Sequence, residues 1–576
     1  MSFTLHGISI SSGIAIGRAH LLSHAYSEVV PRFIDKNKIG EEILRFDMAV
    51  NQSRRELTDL QKVIPDDSPT EFQEFIKLHL LILEDPILSE TPKTKIKELQ
   101  CNAEWALKLQ IETLLQKFLA IQDPYLKERK NDITQVGERI LKVLYGGPKK
   151  SKKNTHEESL IVVAHDISPA EIIQFKNHRY ASFITDAGSS TSHTAIIARS
   201  LNVPCIVALH DARRLIREGD LIIVDGGTGV VMVSPTWEII REFENKNIQN
   251  IERQTRLKKI KNISAQTKDG ITVQLMANVE FPSDEKLAKK NGADGIGLFR
   301  TEFLYLRRNK PPTEDEQYNI YKNLIKNVAG KPITIRTFDL GADKSTNQIN
   351  TSMSLNPALG LRAIRLSLAE PKLFTDQICA ILRAAKHGTI KILIPMIMNL
   401  HEMDEVIKSI QKCKNVLLKK GIPHDASIQI GAMIEVPAAA FIMDSLGEYF
   451  DFFAIGTNDL IQYTLAVDRT DDAVAHLYDP THPAVINLLK IIVEKATKIN
   501  KPISLCGEIA GDESLTRILL GLGITSLSMH PANLLKVKES VINADISIIK
   551  KLIDEFTSDE CKQKRRTEIL NLINES

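Results

Sequence analysis

Residues 188–199 read Gly-Ser-Ser-Thr-Ser-His-Thr-Ala-Ile-Ile-Ala-Arg, and they set a histidine where a loop of small residues gives way to a helical pattern. Ala195, Ile196, Ile197, Ala198 and Leu201 continue the apolar period. Residues 181–186 upstream read as a buried strand. His193 therefore falls on the first turn of a helix, where free N–H groups and the positive dipole end suit a phosphate. The same field disfavours imidazolium and keeps the ring neutral, as a nucleophile requires. The chemistry indicated is a histidine that accepts and passes on a phosphoryl group. The window alone does not decide it, because the chain has 15 histidines and most histidines near helix starts are solvated or capping residues.

A second set of reactive residues lies far downstream. Apolar, strand-like runs at 271–279, 295–299, 333–336, 392–397, 428–436, 452–455, 503–506 and 526–529 alternate with helical stretches. Eight such units match a (β/α)8 barrel, whose chemistry belongs at the C-terminal strand ends. At those ends stand Arg300 and Glu302, Arg336 and Asp339, Glu435, Asn458 and Asp459, Cys506 and Glu508. An arginine after a strand is ordinarily a surface ion pair, and an apolar-flanked cysteine is ordinarily inert core. Their convergence on one rim points instead to a site. Two guanidinium groups suit a small, doubly anionic substrate. Glu435 and Asp459 suit a hard divalent ion such as Mg2+. Cys506 could deliver a proton to carbon where water does not reach. The class that fits is phosphoryl transfer from a phosphorylated enol acid.

These residues need several domains to hold them, and 576 residues exceed one core. Hydrophobic content of 43% and charged content of 25% are those of a globular protein. A net charge of +2 gives no electrostatic case for nucleic acid or membrane. The six cysteines have no C-x-x-C spacing, which argues against a zinc site or a disulfide framework and fits a reducing cytoplasm. No secretory signal and no run of membrane-spanning length is read. Residues 1–20 read as one or two short strands. From Lys36 to Leu144 glycine almost vanishes until Gly137, and the apolar spacing predicts four or so helices. Residues 146–154 read as a basic linker, and strands resume at 160–164, 221–225 and 230–233. Residues 237–261 hold no glycine or proline and predict a long connecting helix.

At this point the motifs carry a likeness. Thr191-Ser192-His193-Thr194, Gly297-Leu298-Phe299-Arg300-Thr301-Glu302-Phe303, Ile455-Gly456-Thr457-Asn458-Asp459-Leu460 and Leu505-Cys506-Gly507-Glu508 occur in that order. With these motifs the chain resembles, over nearly its whole length, the Enzyme I family of the bacterial sugar phosphotransferase system. The resemblance implies a multidomain α/β fold: a phosphohistidine α/β domain with an inserted helical bundle, then a C-terminal (β/α)8 (TIM) barrel. The expected spans are 1–30 and 146–236 for the swivelling phosphohistidine domain and 31–145 for a helical domain that docks the carrier protein HPr. A linker helix at 237–261 and a phosphoenolpyruvate-binding, dimerising barrel at 262–576 complete them. It implies that His193 takes the phosphoryl group from phosphoenolpyruvate and passes it to HPr, while Cys506 protonates the enolpyruvate to give pyruvate. Arg300, Arg336, Arg362, Lys344, Asn458, Asp459 and Arg469 would bind substrate, with Glu435 and Asp459 on Mg2+. It further implies a cytoplasmic homodimer with no membrane insertion and a swivel about 146–154 and 237–261.

Three departures stand out. Ser189 and Ser190 replace the family's usual Gly-Arg before Thr-Ser-His, which removes a cation near the phosphate. Ala342 replaces a glycine, and Ser12 a proline. Two rivals stay open. A pyruvate phosphate dikinase or phosphoenolpyruvate synthase would need a large ATP-binding domain, for which the chain ahead of His193 is too short. A catalytically retired scaffold would bind HPr without turning over.

Overall fold

The structure is a computed structural model. It describes residues 2–11, 13–22, 29–63, 70–119, 124–146, 159–167, 180–188, 203–280, 284–305, 310–339, 356–469, 471, 473–558 and 563–575. The chain divides into two compact units, Met1–Glu252 and Arg253–Ser576.

In the first unit, strands from both ends of the sequence share one sheet. They are β1 (Phe3–His6), β2 (Ile8–Ser11), β3 (Ile14–Leu21), β4 (Leu160–Ala164), β5 (Tyr180–Thr185), β6 (Cys205–Val207), β7 (Leu221–Asp225) and β8 (Val230–Val233). Their order is β1-β8-β7-β3-β4-β5-β6-β2. The ladders β3–β4, β4–β5 and β5–β6 are parallel. The flanking pairs are antiparallel. The first twenty residues thus hold three strands where one or two were expected, because Gly7 and Gly13 break the run into short segments.

Between β3 and β4 come helices Ile39–Val63, Thr70–Glu84, Thr91–Leu99, Ala103–Leu119 and Pro124–Leu144, with the single turn Pro86–Ser89. Phe46, Ala49, Val50 and Leu57 fall at helical spacing and are all buried. Gly137 explains itself by close approach: a Cβ there would lie 2.1 Å from Ile111 Cδ1, so glycine lets two helices touch. Residues 237–261 form the helix Trp237–Lys259, followed by a short 3-10 turn, Ile260–Asn262.

The second unit is a closed barrel of eight parallel strands. They are β9 (Gln274–Val279), β10 (Ile296–Arg300), β11 (Ile333–Arg336), β12 (Ile390–Ile394), β13 (Gln429–Ile434), β14 (Phe452–Ile455), β15 (Ile503–Leu505) and β16 (Ser526–Met529). Both faces of these strands are covered, so they read as continuous apolar runs rather than alternating ones. Several edges shift by one or two residues from the sequence reading, and two shift by three. Residues 271–273 precede β9, where Thr272 instead bridges Gln266 across a turn. β12 stops at Ile394 because Pro395 has no N–H and Met396 turns left-handed at φ 58°. Inside the barrel, Leu298, Leu393, Met433, Phe452, Ala454 and Cys506 form a packed apolar layer. No helix among the described residues is long and apolar enough to cross a membrane.

One buried group ties the helical region to pH. His79 on Thr70–Glu84 is 1% exposed, stacks at 3.9 Å on Phe75, and faces Asp132 at 3.6 Å. Burial lowers its pKa, although Asp132 opposes this. A depressed folded pKa gives stability that is complete above the unfolded histidine value and lost as pH falls through the folded one. Between about pH 7 and about pH 5 the thermal midpoint of His79→Leu is therefore expected to fall less than that of the unchanged chain, read by scanning calorimetry.

Candidate active site

The parallel strands all end on one rim, and several deliver a polar residue as the ladder stops. After a register shift between Ile296 and Phe299, β10 and β11 pair to their last residues, Arg300 opposite Arg336. Arg336 is fully enclosed. Its guanidinium donates to Glu302 at 2.6 Å and pairs with Asp339 at 2.8 Å. A long contact of 3.9 Å reaches the Met433 sulfur from below. Burial works against its charge, but Glu302 and Asp339 outweigh burial, so its pKa is raised and it stays cationic. Asp339 is answered twice, by Arg336 and by Arg362 at 3.0 Å. Burial pushes its carboxyl up; the two arginines pull it below its ordinary value.

Arg362 extends the chain of charges. It reaches Asp459 at 3.4 Å and the Tyr463 hydroxyl at 3.3 Å, while that hydroxyl donates to the Ala358 carbonyl at 2.6 Å. Asn458 and Glu508 exchange two hydrogen bonds, of 3.0 and 2.9 Å, and Arg469 closes on Glu508 at 2.7 Å. Arg300 pairs with Glu280 at 2.8 Å. The Nε atoms of Arg300 and Arg336 and one oxygen of Glu302 are buried without a hydrogen-bond partner among the described residues. These donors sit beside one another on a rim that can receive anionic oxygens.

Glu435 directly follows β13 and is 1% exposed. Its Oε1 accepts the Met396 N–H at 2.6 Å, a bond that the left-handed backbone at Met396 aims inward. Burial, then the Asp459 and Asp339 charges, push its pKa up to about 8 despite Arg336 and Arg362. Cys506 follows β15, is 3% exposed, and donates weakly to the Ile455 carbonyl at 3.5 Å. Burial pushes its thiol up to about 12, with Arg336 opposing and Glu435 assisting. It is therefore a protonated thiol, a donor rather than a thiolate. The turn from Cys506 to Glu508 admits only glycine at Gly507, where a Cβ would lie 1.7 Å from the Thr457 hydroxyl.

Arg300, Arg336, Arg362, Glu435, Asn458, Asp459, Arg469 and Cys506 all belong to this one rim. His193 and Lys344 lie outside the described residues, as do Ser189, Ser190 and Ala342. The sequence reading assigned no role to Glu302, Asp339, Glu508, Glu280, Tyr463 or the Met396 N–H. A usable signal existed for Glu302 and Asp339, which stand two and three residues after an arginine at a buried strand end. None existed for Met396, because a backbone donor has no residue type.

Nothing about the donor set is suited to a cage for metal. Among the described residues no group of three His, Cys, Asp or Glu could hold an ion. Two neighbouring carboxylates, of which Glu435 is kept protonated by burial and then by the Asp459 charge, do fit an ion that completes its shell with substrate oxygens and water.

Comparison with known proteins bears on the same regions. Family models match residues 6–129 (PEP-utilising enzyme, N-terminal), 156–229 (PEP-utilising enzyme, mobile domain) and 254–546 (PEP-utilising enzyme, PEP-binding domain). A phosphoenolpyruvate-protein phosphotransferase of Cupriavidus necator is 44% identical over 96% of this chain and 97% of its own. One of Bacillus subtilis is 38% identical over 93% of this chain and 94% of its own.

The raised Glu435 pKa makes a stability statement. Its ordinary value is 4.5, and the folded chain holds the proton to about 8. As pH rises through that window the unfolded chain binds fewer protons than the folded one, so stability falls. Glu435→Gln removes the penalty. In chelator-treated protein its thermal midpoint should equal the unchanged chain's near about pH 4.5 and exceed it by a few degrees near about pH 8.

Proposed function

The chain belongs to the phosphoenolpyruvate-protein phosphotransferase family, and from that premise we propose that it catalyses the first step of the sugar phosphotransferase system through His193, with HPr as the phosphoryl acceptor. The observation that carries the assignment of roles is the rim itself: enclosed, cationic arginines beside a paired carboxylate site and a protonated thiol. Arg300, Arg336, Arg362 and Arg469 hold the phosphate and carboxylate of phosphoenolpyruvate by exchanging internal carboxylate partners for substrate oxygens. The Asn458–Asp459 segment and Lys344 contribute to the same pocket.

An imidazole nitrogen of His193 attacks phosphorus. The bond from phosphorus to the enol oxygen breaks, and its electron pair goes to the enolate of pyruvate. Cys506 gives the proton to the methylene carbon, which its burial favours by keeping the thiol protonated. Glu435 and Asp459 would hold Mg2+, which when bound supplies charge stabilisation at the phosphate oxygens. Release of one proton from Glu435 would accompany its binding near neutral pH, given a pKa of about 8. The phosphoryl group then leaves the histidine for a histidine of HPr, docked on the helices of residues 31–145. Residues 1–30 and 146–236 carry His193, residues 237–261 connect, and 262–576 bind the donor. The barrel is the proposed homodimerisation surface; Leu359, Leu361 and Leu400 are exposed there. The proposed setting is the cytoplasm, where the five described cysteines remain free thiols.

Incubation with phosphorus-labelled phosphoenolpyruvate and Mg2+ is the direct test. Acid-labile, base-stable label is expected on the chain, absent from His193→Ala, lost on chelation, and transferred to HPr without nucleotide. A requirement for ATP would indicate a dikinase, and no label would indicate a scaffold.

A further inference from the structure

Gln377 lies in the middle of the helix Pro371–Ala385, outside the barrel wall, and is completely buried. A neutral amide there would ordinarily be a packing residue. Here both of its ends are engaged with the two strand ends that carry the site. Its Oε1 accepts the Phe338 N–H at 2.9 Å, and its Nε2 donates to the Thr301 hydroxyl oxygen at 3.0 Å. The Thr301 hydroxyl in turn donates to the Arg336 carbonyl at 2.9 Å. The Tyr321 hydroxyl also lies against the Gln377 amide.

The placement is specific. Thr301 stands between Arg300 and Glu302, and Phe338 stands between Arg336 and Asp339. The β10–β11 ladder has its last pair at Arg300 and Arg336. Beyond that pair the ladder does not continue, and backbone pairing between these strands no longer fixes the separation of the two segments. The chain Phe338 N–H to Gln377 to Thr301 to Arg336 carbonyl takes over from the ladder. The contact of Arg336 with Glu302 at 2.6 Å spans the same gap, while its pair with Asp339 at 2.8 Å stays within the segment after β11. The outer amide and the inner guanidinium thus brace one pair of loops from opposite faces.

We propose that Gln377 is a positioning residue for the phosphoryl-donor pocket: its amide, acting through Thr301 and Phe338, holds the segments after β10 and β11 at the spacing that sets the Arg300 and Arg336 guanidinium groups on one dianionic substrate. It touches neither substrate nor metal. The proposal rests on the phosphoenolpyruvate reading above. A guanidinium pair misplaced by about 1 Å loses rate steeply, because substrate is then held off its reactive geometry.

The test separates the two half-reactions. Gln377→Met keeps the side-chain length and removes both hydrogen bonds. Thr301→Val removes the relay with the same shape, and Thr301→Ser restores it. Single-turnover labelling by phosphoenolpyruvate reads the barrel, and discharge of pre-labelled enzyme to HPr reads the rest of the chain. Gln377→Met and Thr301→Val are each expected to lower kcat/KM for labelling by at least about tenfold and to leave discharge unchanged. Thr301→Ser should stay close to the unchanged chain, and the double variant should be no worse than the poorer single one. The proposal is overturned if labelling by Gln377→Met proceeds undiminished, if both half-reactions fall together, or if the two losses multiply. Should Gln377→Met not fold, the Thr301 pair decides: equal labelling by Val and Ser variants overturns it. Failure of the unchanged chain to take label would sink the functional reading instead, which is a different result.

Discussion

Everything at the barrel rim depends on one expensive choice, the burial of the Arg336 guanidinium. An isolated buried cation would cost several kcal/mol even after the surroundings relax. Glu302 and Asp339, at 2.6 and 2.8 Å, offset that cost. Once Asp339 is enclosed it too needs more than one cation, and Arg362 supplies the second. Arg362 then draws in Asp459 and Tyr463. The result is a chain of alternating charges in which Arg336, Asp339 and Arg362 are each held by two neighbours. Removing any one partner of such a buried pair costs about 3–5 kcal/mol, because its neighbour is left unanswered. That rigidity is what a site for a small anion requires, since a guanidinium already fixed loses little freedom when substrate arrives.

The charges divide the rim into two functional parts. On the β10–β11 side, Arg300 and Arg336 are answered by Glu280, Glu302 and Asp339, yet spare buried N–H groups remain on both arginines. On the β13–β14 side, Glu435 and Asp459 face each other, and Glu435 resolves the repulsion by keeping its proton. The first arrangement favours an incoming polyanion and the second a divalent cation. Cys506 lies between them at the top of the apolar layer inside the barrel, and that layer keeps its thiol protonated. A single low-dielectric floor therefore sets three different states: a permanent cation, a neutral acid and a neutral thiol. Burial favours the neutral form of all three, and only at Arg336 do the nearest charges outweigh it.

The barrel makes this possible through geometry that has nothing to do with substrate. Eight parallel strands cannot close without placing all their C-terminal ends on one side. Hydrogen-bonded ladders stop there, so side chains take over the work of spacing the loops. Gln377, reaching in from an outer helix, is the clearest instance, and the left-handed turn at Met396 that aims an N–H at Glu435 is another. The relatives from Cupriavidus necator and Bacillus subtilis match across both units.

Much was legible before any coordinates. Strands buried on both faces are continuous apolar runs, so their number and order could be read directly, and a parallel barrel leaves no freedom over which end its residues 300, 336, 435, 458 and 506 share. The edges at 271–273 and 395–397 were not legible, because a turn bridge and a proline decide them rather than hydrophobicity. Nor were the protonation of Glu435, the pairing of Asn458 with Glu508, or the role of Gln377. The first depends on burial together with the Asp459 and Asp339 charges, and the other two on contacts between residues 50 and 76 positions apart along the chain. Sequence pattern records which residues belong to the same strand or helix face. Electrostatic shifts and hydrogen bonds fall off over a few ångströms, and those distances exist only once the barrel has closed.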